Sequence, residues 1–274
     1  MLKRHFALLA LSTTLLFGCQ PSKEVQETQT PIKVGMDIAF PPFESMNAQG
    51  QAEGFDVDIM NQIMAHHGEK AEYIDTRFYN LISGVKAQKF NLVISGLYIT
   101  PERMREVDMI PYYKTTQAVV VAKGSSYQPK VRSDLCGKRI ATQKGTQYPQ
   151  QLAQISKDVC TPQGKAAIQV LEFETSPQAI QAVLAKAADA EYDDIVALRL
   201  AVQQRPNHIE MTSTDPFFPM FGGIVVRKGD QEMYQKIETG LNAMKTSGEY
   251  QKLLTQYGLI EPSAEELTEL KKSS

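Results

Sequence analysis

The sequence predicts an α/β protein of two lobes, in which each lobe is a mostly parallel sheet flanked by helices and two crossing strands join the lobes. Short apolar strands alternate with amphipathic helices over residues 32–95, which gives the order β-α-β-α-β and implies a parallel sheet covered by helices. A second run of the same type begins near Lys138. Two stretches rich in β-branched residues, 115–122 and 221–226, flank this second run, so we predict that they are the crossing strands.

The first run is read from apolar spacing and from helix-start signals. Phe55, Ile59 and Ile63 recur at helical spacing. Thr100-Pro101 reads as an N-cap followed by the first helical position. The predicted elements are a strand at 32–36, a helix at 54–65, a strand at 72–75, a helix at 80–89, a strand at 91–95 and a helix that starts after residue 100.

The second run repeats the pattern and is followed by a C-terminal helical segment. Its predicted elements are a strand at 139–142, a turn at 145–147 that opens a helix, a strand at 168–173, a helix that begins at Ser176-Pro177, and a strand that ends at 189–194 before another helix. Residues 232–257 again show helical spacing, broken by Ser247-Gly248. Because this segment follows the second crossing strand, we assign it to the first lobe.

These elements define the predicted domain organisation. The chain divides into a signal peptide at 1–18, a flexible tether at 19–30, a discontinuous first lobe at 31–117 and 222–262, a second lobe at 118–221 and a charged, frayed tail at 263–274.

Composition excludes several classes of function. The 274 residues carry a net charge of −2, with 42% apolar and 22% charged residues, as in ordinary globular proteins. There is no basic stripe and no finger motif, so we expect no nucleic-acid partner. His66 and His67 are adjacent and therefore point in different directions on a helix. Without a Cys/His cluster nearby we expect no metal and no other cofactor.

The N-terminus has the pattern of an export signal. The basic residues 3–5 precede an apolar stretch at 6–17 that is too short to span a bilayer. The following LFGC (residues 16–19) resembles a bacterial lipobox, which implies that Cys19 is lipidated and becomes the first mature residue. We therefore expect an exported lipoprotein, periplasmic or at the cell surface, anchored to a membrane. The alternative is an ordinary secretory signal with an incidental Cys19.

Removing Cys19 leaves two cysteines, Cys136 and Cys160. An exported compartment permits disulfides, so we predict that these two are joined, which would add roughly 3 kcal/mol of stability by restricting the unfolded chain. The alternative is two buried thiols.

The stretch around Arg103 predicts a site for a small carboxylate. An apolar strand ends in the small residues Ser95 and Gly96, and a loop then leads to a helix start whose backbone N–H groups are unsatisfied. Arg103 adds a planar guanidinium beside them. The alternative is that Arg103 is a solvated helix residue.

Six motifs in order resemble a bacterial family, the solute-binding proteins of polar amino acid ABC transporters. This family is related to the histidine-, lysine/arginine/ornithine- and glutamine-binding proteins. The resemblance covers about residues 32–258 and implies a periplasmic-binding-protein-like fold and an ABC permease as partner. The motifs are FPPFE (40–44), GFDVD (54–58), SGLYITPER (95–103), KGTQ (144–147), DAEYDD (189–194) and SGEY (247–250).

The resemblance also implies a role for individual positions. Arg103 would hold the ligand α-carboxylate, helped by Thr146 and Gln147 on the other lobe, and Asp194 would hold the α-ammonium. Further implied contacts are the hydroxyl of Ser95, the backbone of Gly96, the aromatic rings of Phe40 and Phe78, and Asp37 near the end of the ligand side chain. Asp37 is otherwise a strand-end turn former.

The chain departs from the family pattern at two places. Tyr98 stands where a Ser or Thr usually assists the carboxylate, so its ring either reaches the same oxygen or reshapes the pocket. Glu191 and Tyr192 crowd the strand before Asp194. The negative charges of Asp37 and Glu191 predict that the ligand is a polar or basic L-amino acid.

The sequence leaves two other functions open. Cyclohexadienyl dehydratases resemble this fold, and Glu191 or Asp194 would then be a general acid. However, no His lies near a matched site, so we expect no catalytic residue. A sensor that kept the fold without a transporter is the third candidate. We expect a monomer whose partners are an amino acid, a permease and, through its lipid, a membrane.

Overall fold

The strands form two five-stranded sheets and one two-stranded pair in the computed structural model, which describes residues 30–213 and 216–272. The strands are β1 (Ile32–Met36), β2 (Ser45–Met46), β3 (Ala52–Glu53), β4 (Ala71–Asp75), β5 (Leu92–Val93), β6 (Val107–Thr115), β7 (Gln117–Ala122), β8 (Arg139–Gln143), β9 (Gln169–Phe173), β10 (Ala190–Asp194), β11 (Ile209–Met211) and β12 (Met220–Arg227). The α-helices are α1 (Phe55–His66), α2 (Leu81–Lys86), α3 (Pro101–Glu106), α4 (Tyr148–Ile155), α5 (Ser176–Leu184), α6 (Ile195–Gln204), α7 (Gln231–Ser247), α8 (Glu249–Tyr257) and α9 (Ala264–Lys272).

Each sheet is the centre of one lobe. The first has the order β4-β1-β5-β12-β6, in which β1 pairs in parallel with β4 and β5 while β12 runs antiparallel to β5 and β6. The second has the order β11-β7-β10-β8-β9, in which β8 pairs in parallel with β9 and β10 while β7 runs antiparallel to β10 and β11. Both sheets are therefore mixed, and the carboxyl ends of their parallel strands bring strand-end residues together at one edge.

The passage between the lobes differs from the prediction. Residues 115–122 are not one strand, because Thr116 separates β6 from β7. Most of β6 was not predicted, since Pro111 lies in its middle and Pro cannot donate to a sheet. The structure accommodates Pro111 opposite Gly223, where the pairing of β12 with β6 shifts register.

The core of the first lobe is aromatic. Phe43, Phe55, Tyr112 and Tyr113 are buried and in ring contact, with Phe55 stacked on Tyr112 at 5.7 Å between centroids. The C-terminal helix α7 packs on α1 in this lobe, where a Cβ on Gly240 would lie 2.8 Å from Ile63. The helix α7 therefore lies against the first sheet's own helix α1.

The cysteines of the second lobe are bonded. A disulfide joins Cys136, which precedes β8, to Cys160, which ends a π-helical turn after α4.

The tail is more ordered than predicted, because residues 264–272 form α9. Ser263 and Glu266 make a capping box, in which the Glu266 N–H donates to Ser263 Oγ and the Ser263 N–H donates to Glu266 Oε2. Glu266 also pairs with Lys114 of β6. The S-x-x-E spacing was a signal in the sequence that the prediction of a frayed tail overlooked. Over residues 30–213 and 216–272, no helix has the length and apolarity needed to cross a membrane.

Candidate functional site

A small cavity lies where loops of the two lobes face each other. Its volume is about 10 Å³, roughly that of one water, so a larger solute enters only if the lobes separate or side chains move. Both lobes contribute to its lining, which consists of Phe40, Phe78, Gly96, Tyr98, Arg103, Gln143, Thr146, Gln147 and Tyr148.

Arg103 lies at the boundary between the lobes. Its helix begins as predicted, with Thr100 Oγ1 accepting a bond from the Arg103 N–H and Pro101 at the first position. The guanidinium donates to Tyr98 O in its own lobe at 2.8 Å and to Gly145 O of the other lobe at 3.1 Å, and it lies over the Phe78 ring at 5.6 Å. Burial lowers the pKa of Arg103 to about 10, so the group stays cationic at neutral pH.

Gly145 allows the close approach of the lobes beside Arg103. Its φ is +78°, and a Cβ at this position would lie 2.6 Å from the Cβ of Tyr79 in the first lobe. Both the backbone conformation and the space therefore require glycine here. This is the physical role of the glycine in the KGTQ motif.

Asp194 supplies the acid of the second lobe. It ends β10 and caps α6, since its Oδ1 accepts from the Val196 N–H at 2.7 Å. Its Oδ2 accepts from the Tyr98 hydroxyl of the first lobe at 2.7 Å. The side chain is buried, which raises the pKa of its carboxyl, and it lies behind Tyr98 rather than in the cavity lining.

Tyr98 connects the two lobes. Besides its bond to Asp194, its hydroxyl lies 3.3 Å from the hydroxyl of Tyr148, and the two rings meet edge to face. The Tyr98 hydroxyl therefore lies between an acid and a second hydroxyl, both from the other lobe.

Phe40 and Gly96 form one wall. Phe40 is nearly buried and stacks on Phe43 at 5.2 Å between centroids. Gly96 has a φ of +55°, and a Cβ there would lie 3.1 Å from Phe40. A side chain at residue 96 would strain the backbone and press on the ring, so the glycine keeps this wall flat.

Asp37 is buried beside the cavity, with an ion pair at Oδ1, which makes no hydrogen bond, and two hydrogen bonds at Oδ2. Its Oδ1 lies 3.2 Å from Nη1 of Arg77, and its Oδ2 accepts from the Phe78 N–H at 3.1 Å and from Gln143 Nε2 at 3.0 Å. Burial raises the pKa of Asp37, and the Arg77 charge opposes that rise.

Ser95 belongs to a buried network beneath the cleft rather than to the lining. Its Oγ accepts from the Asp37 N–H and donates to Glu44 at 2.7 Å. Asp56 accepts from the Gly96 N–H and from the Tyr112 hydroxyl, each at 2.7 Å. Burial raises the pKa of Asp56 to about 7, and burial together with Asp56 raises the pKa of Glu44 well above its usual range. The network holds the loop at residues 95–96 in place.

Thr146 and Gln147 line the cavity from the second lobe. The Thr146 hydroxyl donates to Gln143 O at 2.7 Å and closes the turn before α4, while Gln147 bonds to Gln150. Glu191 is elsewhere, because it is buried and accepts from the Ser176 hydroxyl.

The structure thus brings seven of the ten predicted ligand positions to the cavity wall and places Asp37, Ser95 and Asp194 directly behind it. Sequence reasoning missed Arg77, Gln143 and Tyr148. Gln143 ends β8 and Tyr148 begins α4, so both flank the KGTQ motif, and that position was the available signal. Across the described ranges 30–213 and 216–272, no group of three or more His, Cys, Asp or Glu residues is arranged to hold a metal ion.

Comparisons with known proteins agree over most of the chain. Residues 32–260 match the bacterial extracellular solute-binding proteins, family 3. The ABC transporter arginine-binding protein 1 of Escherichia coli (strain K12) is 28% identical over 257 residues, 93% of this chain and 98% of that protein. An ancestral arginine-binding protein bound to arginine is 31% identical with a TM-score of 0.76, over 84% of this chain and 99% of that one. An ancestral amino acid-binding protein that is a precursor of cyclohexadienyl dehydratase is 28% identical with a TM-score of 0.73, over 83% of this chain and 95% of that one.

Proposed function

We propose, since the chain belongs to family 3 of the bacterial extracellular solute-binding proteins, that it captures a polar L-amino acid between its two lobes and delivers it to the permease of an ABC importer. The arginine-binding relative in Escherichia coli and the arginine-bound ancestral protein support an amino acid as the ligand.

The observation that carries this proposal is that Arg103 of the first lobe and Asp194 of the second both bond to Tyr98 beside the cleft. A buried zwitterion loses its hydration, so its site must offer a cation, an anion and directed hydrogen bonds. Arg103 supplies the cation from the first lobe and Asp194 the anion from the second, and Tyr98 lies between them. Neither lobe alone completes the set.

Because each lobe holds half of the site, the ligand binds the closed arrangement more tightly and shifts the protein towards it. The passage at Thr116, between β6 and β7, is short enough for small backbone rotations to open and close the lobes. We propose that the permease recognises the closed shape and that the protein works as a monomer.

Calorimetric titration with a panel of amino acids tests the function. We expect saturable binding of at least one polar L-amino acid at one site per chain. The matched probes are the decarboxylated amine and the deaminated acid of that ligand, each of which removes one charge. Each should bind at least about a hundredfold more weakly, since each leaves a buried charge unpaired. Equal binding of all three would contradict the zwitterion site.

We propose that the protein is not an enzyme. Asp194 accepts hydrogen bonds on both carboxylate oxygens, and Glu191 lies away from the cavity, so neither is placed as a general acid. The similarity to a precursor of cyclohexadienyl dehydratase makes the test specific. Incubation with prephenate or arogenate should leave both unchanged, and turnover of either would contradict this assignment.

We further propose that Cys19, which lies outside the described residues, anchors the exported protein to a membrane through its lipid. Cys19→Ala should move the protein from the membrane fraction to the soluble exported fraction, because the polar tether at 20–30 has no apolar anchor of its own. Ser22→Ala, in the same tether, is the matched control and should stay with membranes. A Cys19→Ala protein that still sediments with membranes would exclude lipidation at this residue.

A further inference from the structure

We propose that Arg77 is a specificity-determining residue: it occupies the acid at the side-chain end of the cleft, so that the site selects amino acids with neutral polar side chains over cationic ones. This inference rests on the proposed function and names the ligand class within it. The relatives described above include arginine-binding proteins, so the ligand class inferred here differs from theirs.

The acid already has a cation beside it. Arg77 Nη1 lies 3.2 Å from Asp37 Oδ1, while Asp37 Oδ2 already accepts from the Phe78 N–H and from Gln143 Nε2. Arg77 and Phe78 belong to the first lobe, so most of this arrangement is present without the second lobe. A ligand guanidinium or ammonium would have to displace Arg77 to reach Asp37.

Arg77 is held in this position by a second acid. Its Nη2 lies 3.2 and 3.1 Å from the two carboxylate oxygens of Asp75, at the end of β4. Asp75 is about half exposed, so water screens its charge, whereas Asp37 is buried. The guanidinium therefore bridges an outer and an inner carboxylate, and the inner one lies next to the cleft.

The pairing of charges beside the cleft favours a neutral side chain. Arg103 and Asp194 offset one another and match the two charges of the amino acid backbone. Arg77 lies between Asp37 and Asp75, and of these two acids only Asp37 is buried, so the buried carboxylate already has a cation beside it. A zwitterion with a neutral side chain therefore adds no net charge on closure, whereas lysine or arginine adds one positive charge at an acid, Asp37, that is already paired with Arg77.

Gln143 indicates what the neutral side chain should offer. Its Nε2 is committed to Asp37 and to Glu174 O, and Gln143 lines the cavity. Over residues 30–213 and 216–272, Gln143 Oε1 makes no hydrogen bond, so it is available as an acceptor at this wall. Side chains that donate a hydrogen bond without a charge, such as amides and hydroxyls, fit this acceptor.

The test compares glutamine, asparagine, arginine and lysine by calorimetric titration against the wild-type protein and against Arg77→Gln. The wild type should prefer glutamine or asparagine. In Arg77→Gln the ratio of the arginine Kd to the glutamine Kd should fall by at least about tenfold, because Asp37 becomes free to pair with the ligand cation. Arg77→Lys keeps the charge and should hold the wild-type preference.

The matched control is Arg139→Gln. Arg139 is likewise partly exposed and bonded to an aspartate, Asp189, but the hydrogen bonds that Asp189 accepts come from Arg139 and not from the cavity lining, unlike those of Asp37. In Arg139→Gln the ratio of the arginine Kd to the glutamine Kd should equal that of the wild type. An unchanged ratio in Arg77→Gln, or a wild type that binds arginine more tightly than every neutral amino acid, overturns this inference and leaves the proposed function standing. A wild type that binds no amino acid overturns both.

Discussion

Arg103→Ala is expected to weaken amino acid binding by roughly two to four powers of ten. The substitution leaves the ligand carboxylate buried without its partner, which typically costs about 3–5 kcal/mol, and each ~1.4 kcal/mol is a factor of ten. It also removes the bond from the guanidinium to Gly145 O, one of the contacts that hold the closed lobes together. Calorimetric titration with the ligand identified in the panel measures the change in Kd.

Two further variants separate charge from geometry. Arg103→Lys should recover only part of the affinity, because an ammonium cannot make the planar two-point contact of a guanidinium. Arg105→Ala lies on the same helix α3 but is exposed, so it is the matched control and should bind like the wild type. The Arg103→Ala protein should remain folded in its ligand-free state. Full affinity in Arg103→Ala would refute the carboxylate role, and loss of the fold would favour a structural one.

Three of the hydrogen bonds that hold the closed lobes together involve a charged side chain beside the cavity. Tyr98 donates to Asp194, Gln143 donates to Asp37, and Arg103 donates to Gly145 O. Two of these bonds involve Arg103 or Asp194, the residues to which we assign the carboxylate and the ammonium of the ligand. An incoming amino acid therefore exchanges hydrogen bonds between the lobes for hydrogen bonds between each lobe and the ligand. The free energy by which the ligand favours the closed form is the difference between these two sets of bonds, not the sum of the new ones.

Local patterns were sufficient to predict most of the fold. The strand at β1, the helices α1 and α3 and the break at Ser247-Gly248 follow from apolar spacing, a cap or a glycine that adopts φ of +83°. The strand β6 could not be predicted in the same way. Its Pro111 is tolerated because β6 is an edge strand and β12 changes register opposite it, and β12 is more than a hundred residues later in the chain.

The sequence predicted where the residues of the candidate site lie, but not which of them bond to each other. Motif order located Arg103, Gly96 and Asp194 near the cleft, since strand ends and helix starts converge there. The partner of Asp37 was not predictable, because Arg77 is forty residues away and reads in the sequence as one of many charged loop residues. The bond between Tyr98 and Asp194 depends on the relation of the two lobes, which no local pattern encodes.

Asp194→Asn is expected to weaken binding by at least about two powers of ten, since the ligand ammonium loses the anion that it pairs with. The neutral amide keeps the acceptor that caps α6 at the Val196 N–H, because Asn is as good an N-cap as Asp. Titration of the same ligand measures this loss. Asp230→Asn is the matched control: Asp230 caps α7 in the same way, away from the cleft, and should leave the Kd unchanged.

The stability of the ligand-free protein should respond differently. Burial raises the pKa of Asp194 above its ordinary value of 3.8, so the folded state disfavours the ionised carboxyl. The stability that this group contributes is complete below pH 3.8 and declines as the pH rises through the folded pKa. Asn does not titrate, so the melting temperature of Asp194→Asn should gain on the wild type as the pH increases across that window. A residue with only a structural role would lose stability and binding together. For Asp194 we expect the affinity to fall while the ligand-free protein is as stable as the wild type, or more so, at neutral pH; a large loss of both would contradict the ammonium contact.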